Sequence, residues 1–124
     1  MTNIIVDAHY HLFWDGSDPM AFLAGVARVG ARRFSKATPE PLDAKQLLDM
    51  QLPILADQSG DKLVQMMDDA GIDKTILLPL DYWYWWETSG NPGSHDILKK
   101  NQIYMEATKK HEDRLYSLFG IDPR

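Results

Sequence analysis

Apolar positions along this chain fall in blocks whose periods differ. Ile4-Ile5-Val6-Asp7-Ala8 reads as a first strand near residues 4–8. Farther on, Leu63, Met66, Met67 and Ala70 recur at i, i+3, i+4 and i+7, one stripe of a 3.6-residue helix. Ser59 stands where an N-cap is wanted, Asp61 suits the first turn, and Gly71 offers a left-handed residue to end the helix. The run from Lys74 to Leu80 does not alternate, as expected of a parallel strand covered on both faces. Pro79 lacks an N–H and belongs at that strand's end. After the turn formers of 89–93, Ser94 caps a helix over residues 95–110 with Ile97, Tyr104 and Ala107 as its buried stripe. Residues 115–121 form a third strand, stopped by Asp122-Pro123.

Strands alternating with helices make a parallel α/β sheet. The segment of about 12–58 is longer than a minimal crossover and predicts inserted helices. One begins at Asp18-Pro19, with Asp as N-cap and Pro at N1, and runs towards Arg33. A second covers roughly Asp43 to Met50, with a proline-bearing hinge at Ala37–Pro41 between them. Three parallel strands leave two open edges. The expectation is therefore one partial domain over 1–124, a truncated piece of a larger fold. Its edges would be covered by the remainder of that fold or by a homo-oligomer.

Composition narrows the partners. Thirteen Lys and Arg against eighteen Asp and Glu leave a formal charge of −5, which argues against nucleic acid. No apolar stretch approaches the ~20 residues that span a bilayer. The N-terminus has no basic region before its apolar run, so no secretory signal is expected and a cytoplasmic address is the default. There is no cysteine, so any metal here must take His, Asp or Glu ligands.

The densest chemistry is Asp7-Ala8-His9-Tyr10-His11, where the first strand ends. In a regular strand i, i+2 and i+4 share a face, so Asp7, His9 and His11 are expected to project together. Two neutral imidazoles at that spacing can converge on one divalent cation, and a neighbouring carboxylate can ligate or orient them. Nitrogen and oxygen donors suit Zn first, with Mn, Fe or Co as alternatives.

The stretch IIVDAHYHL resembles the opening strand of the amidohydrolase superfamily. LVQMMDDAGIDKTILLP and YMEATKKHEDRLYSLFGIDP resemble its amidohydrolase-related (amidohydrolase 2) branch. That resemblance implies about three βα units from the N-terminal part of a metal-dependent-hydrolase (β/α)8 TIM barrel, a fold of ~250 residues when complete. It implies His9 and His11 as metal ligands and Asp7 as a metal-adjacent residue of catalytic type. The implied activity is that of a metal-dependent hydrolase or non-oxidative decarboxylase on a small cyclic or aromatic carboxylate or amide. The portion alone is expected to be inactive, because the family's later ligands and catalytic Asp have no counterpart here. Two alternatives stay open: a non-catalytic binding or assembly module retaining the first strands, and a fragment of a TatD-like deoxyribonuclease.

Asp81-Tyr82-Trp83-Tyr84-Trp85-Trp86 follows the second strand, on the rim that carries the histidines. Trp83, Trp85 and Trp86 are candidate walls of a small-molecule substrate pocket, with packing or an oligomer contact as the competing role. Phe13 and Trp14 face the same choice. Arg28, Arg32, Arg33 and Lys36 share a helix face that reads as solvated. His95 reads as a surface residue, and His111 as a cation at a helix end.

Overall fold

The computed structural model describes residues 3–14, 16–34, 36, 43–90 and 97–121. Among them the chain is mixed α/β: β1 (Val6–Tyr10), α1 (Met20–Phe34), α2 (Ala44–Leu55), α3 (Asp61–Ala70), β2 (Lys74–Leu77), α4 (Tyr82–Thr88), α5 (Ile97–Lys110) and β3 (Leu115–Ser117). The strands form one sheet in the order β1-β2-β3, with both pairs parallel. No described helix is long and apolar enough to cross a membrane.

β2 and β3 are shorter than their apolar runs. Pro79 cannot donate to a ladder, so β2 ends at Leu77. The Leu78 and Leu118 amides still reach across, to the Tyr10 and Leu77 carbonyls at 2.8 and 3.0 Å. Beyond them the chain leaves the sheet. β1 starts at Val6 and reaches Tyr10, two residues later at each end than the expected span.

Leu12, Leu63, Met67, Leu77, Tyr104, Ala107 and Leu115 form the core, packed between α3, α5 and one face of the sheet. The stripe expected for α3 is only half used, since Leu63 and Met67 are buried while Met66 and Ala70 are exposed. Tyr104 sets the depth of this core. Its hydroxyl accepts from the Leu12 amide at 2.9 Å, tying α5 to the exit of β1. The opposite sheet face carries Val6 and Tyr116, both exposed, with Lys74 Nζ donating to the Tyr116 hydroxyl at 2.7 Å.

Helix caps depart from expectation in instructive ways. Ser59 does not cap α3. Gly60 is the cap residue, at φ 80°, and the Asp57 carboxylate accepts from the Gly60 and Leu63 amides, each at 2.9 Å. A Cβ at position 60 would stand 2.7 Å from Leu115 Cδ1, so both conformation and space call for glycine there. Gly71 ends α3 in the left-handed region, as its position suggests. Asp18 does not cap α1, which starts at Met20 with the Pro19 carbonyl accepting from Phe22 and Leu23. The second inserted helix begins as expected, with Asp43 and Gln46 forming a capping box. It runs on past Met50 to Leu55 despite Pro53, and at its end Lys62 Nζ donates to the Pro53 and Ala56 carbonyls, each at 2.8 Å. The expected hinge at 37–41, the cap Ser94, the start of α5 near His95 and the Asp122-Pro123 turn lie outside the described residues.

Candidate metal centre

β1 is not a regular strand. Asp7 aligns with Thr75 and Tyr10 with Leu77, three steps on β1 against two on β2, so a bulge lies between them. Residues aligned across a ladder point to the same side, and Leu77 is a core residue. Asp7 and Tyr10 therefore belong to the helix-facing side, and His9 and His11 to the other. The expected common face of Asp7, His9 and His11 is lost at that extra residue. The Asp7 carboxylate turns onto its own backbone and accepts from the His9 amide at 3.1 Å. Burial pushes the Tyr10 hydroxyl pKa up, helped by the negative charges of Asp57 and Asp7.

The two imidazoles meet. His9 Nε2 and His11 Nε2 are 2.8 Å apart, with the rings nearly perpendicular at 84°. His11 Nδ1 lies 2.7 Å from the Leu78 carbonyl oxygen. A carbonyl only accepts, so that nitrogen carries the proton, and His11 Nε2 keeps its lone pair whenever the ring is neutral. A backbone carbonyl behind the distal nitrogen is the usual way a metal-binding imidazole is oriented.

Two nitrogen donors on one first-row cation stand at most about 4.2 Å apart, given metal–nitrogen distances near 2.1 Å. The observed 2.8 Å is a hydrogen-bond contact, shorter than the roughly 3.4 Å between two ligands of a tetrahedral ion, so the rings would have to part slightly to share one. Two imidazoles are fewer than the three protein ligands of a typical catalytic zinc. Among the described residues no group of three or more His, Cys, Asp or Glu side chains assembles.

A cavity of about 570 Å³ lies on the far side of Phe13, and neither histidine is part of its lining. Phe13 belongs to its lining and touches the His11 ring edge-on, with centroids 6.4 Å apart. Trp83 is also a lining residue. Its indole N–H donates to the Ser17 carbonyl at 3.2 Å, which leaves carbon towards the void. Trp85 and Trp86 are not part of that lining, and Trp85 is 56% exposed. The segment read as a rim loop is instead α4, capped by the Asp81 carboxylate accepting from the Tyr84 amide at 2.8 Å. The Trp85 and Trp86 rings lie against each other instead, centroids 6.4 Å apart, so one wall residue comes from the three candidates.

A buried ion pair went unread in the sequence. Lys100 Nζ lies 3.1 Å from Asp18 Oδ1, with side chains 6% and 1% exposed. Lys100 also donates to the Leu80 carbonyl at 2.5 Å, and Ser17 Oγ donates to Asp18 Oδ2 at 2.7 Å. The signal was available. Lys100 falls in step with Ile97, Tyr104 and Ala107, and a lysine in an apolar stripe needs a buried partner. Arg28, Arg32 and Arg33 are exposed on α1. His111 Nε2 sits 2.9 Å from Asp61 Oδ1, beside Lys110.

The chain matches no known protein family, no curated protein and no solved structure.

Proposed function

We propose that the chain is the metal-binding opening of a metal-dependent hydrolase or non-oxidative decarboxylase acting on a small molecule. The observation that carries this reading is the convergence of His9 and His11 on their Nε2 atoms, with the His11 tautomer fixed by the Leu78 carbonyl. With His11 protonated on Nδ1, His9 Nε2–H donates to His11 Nε2. To ligate, His9 carries its proton on Nδ1 instead, so that both Nε2 lone pairs face one ion. Leu78 fixes the His11 ring in either case. A divalent ion held there, Zn by preference, would polarise a substrate carbonyl or carboxylate and acidify bound water.

The strand order β1-β2-β3 supports three consecutive staves of a (β/α)8 barrel, in which chain order and spatial order coincide. The uncovered sheet face supports it as well. Val6 and Tyr116 on that face, and Leu118 and Phe119 just beyond β3, are large and exposed, as residues awaiting further staves would be. The same face favours the second reading, a non-catalytic module that assembles through its sheet. A full barrel needs ligands and a proton-handling carboxylate from later strands, so the portion alone is expected to be inactive.

Metal content decides. The purified chain is dialysed against zinc, and separately against cobalt, and then analysed for bound metal. Wild type should retain close to one ion per chain. His9→Ala with His11→Ala should retain almost none while keeping its far-ultraviolet circular dichroism. If the double variant does not fold, cobalt absorption bands in wild type provide the readout, because imidazole ligation shifts and intensifies them. Equal metal in wild type and folded double variant, or an unshifted cobalt spectrum in wild type, overturns the proposal.

A further inference from the structure

The cavity behind Phe13 has a chemistry of its own. Its lining is almost wholly carbon, with Phe13, Trp14, Trp83, Leu23, Leu52 and Pro53 among its walls. Its volume falls within the ~300–1,000 Å³ range of small-molecule pockets. Among the described residues, the side-chain polar groups that reach it are already engaged. Both Asp18 oxygens are taken, one by Lys100 and one by Ser17, and the Trp83 N–H is spent on the Ser17 carbonyl. Lys100 is bound by Asp18 and the Leu80 carbonyl, with the Trp14 ring centre 5.9 Å away. Among the described residues cation and carboxylate cancel, so that part of the wall carries no net charge to attract an ion. A ligand that brought its own charge here would lose hydration and gain no partner. A flat apolar ring would lose nothing and would stack on aromatic walls.

We infer that this cavity binds an uncharged aromatic ring. The ring is the non-reacting part of a substrate whose carboxylate or carbonyl lies beyond Phe13, at the histidine pair. The second half of this inference rests on the metal reading above, and the ring binding does not.

The test separates the two. The uncharged fluorophore N-phenylnaphthylamine is titrated into the full chain with a chelator present, so that no metal contributes. It should bind with enhanced emission, and more tightly than its sulfonated analogue. Two void-filling variants on different walls, Ala56→Phe and Leu23→Trp, should each weaken it about tenfold or more, the loss of roughly one ring's worth of contact. Trp85→Ala, away from the cavity, should leave it unchanged. Naphthoate, which carries both ring and carboxylate, should then bind about tenfold more tightly when zinc replaces the chelator.

No binding of the neutral probe, or equal binding in a folded filling variant, overturns the ring site and leaves the metal reading standing. Ring binding without any zinc-dependent gain for naphthoate overturns the link to the histidine pair and leaves the cavity assignment intact.

Discussion

Replacing Lys100 by methionine should be among the most damaging single changes outside the hydrophobic core. The side chain keeps its length and most of its apolar stem but loses the ammonium group. Among the described residues Asp18, 1% exposed, then keeps only the Ser17 hydroxyl, and the Leu80 carbonyl loses this donor. An uncompensated buried carboxylate costs about 3–5 kcal/mol, a large share of the roughly 5–15 kcal/mol that holds a typical domain together. The intact pair is a different matter, because desolvation offsets much of its attraction. Asp18→Leu combined with Lys100→Met should therefore recover stability to within about 2 kcal/mol of wild type. Urea unfolding followed by tryptophan fluorescence measures all four corners of the cycle, and Trp14 beside the amino group reports the local change. A Lys100→Met cost below about 1 kcal/mol would mean that the pair is hydrated. A double variant no better than the single one would mean that charge pairing is not what the site provides.

Two smaller tests address the fold beneath the site. Thr75 Oγ1 is buried with no hydrogen-bond partner, so Thr75→Val, which keeps the shape, should raise the urea midpoint by the equivalent of about 1 kcal/mol. Asp61 is bonded to Lys110, Ser59 and His111, which hold its carboxyl at about 2, below the ordinary 3.8. A carboxyl depressed by folding adds stability above its unfolded pKa and loses it as pH falls through its folded one. The stability gap between wild type and Asp61→Asn should thus be present at neutral pH and close between about pH 4 and pH 2 in a pH series of urea unfolding curves.

What the sequence reveals and what it hides divide along physical lines. The βα alternation is legible because period 3.6 and unbroken apolar runs leave marks in one dimension, and the parallel three-stranded sheet follows from them. Strand ends are less legible. Ladders stop where partner strands stop, and Leu78 and Leu118 read as strand residues although each makes only one last ladder bond. Asp18 and Asp57 show how a cap can mislead. Both are carboxylates near a helix start, yet Asp18 serves a lysine 82 residues away, while Asp57 caps α3 from three residues before Gly60. Only tertiary contact distinguishes them. The aromatic run at 82–86 carried composition but no usable period, so its helix, and the choice of Trp83 as the wall residue, were not legible.

The bulge in β1 shows why the histidine pair depends on the sheet as a whole. Alternation alone would have set Asp7 beside the imidazoles, and the extra residue removes it. The two rings meet because His11 lies past the end of β1, where its direction is set by β2 rather than by its own strand. Leu78 performs both parts of that task. Its amide donates to the Tyr10 carbonyl at 2.8 Å, and its carbonyl takes the His11 Nδ1 proton at 2.7 Å. Tyr104 secures the next residue, its hydroxyl receiving the Leu12 amide from α5. The chain from Tyr10 to Leu12 is thus clamped by a strand on one side and a helix on the other. A slip of β1 along β2 by one residue would move His11 off its carbonyl and part the two Nε2 atoms. An ion held there, as proposed, would have its affinity coupled to the register of the sheet.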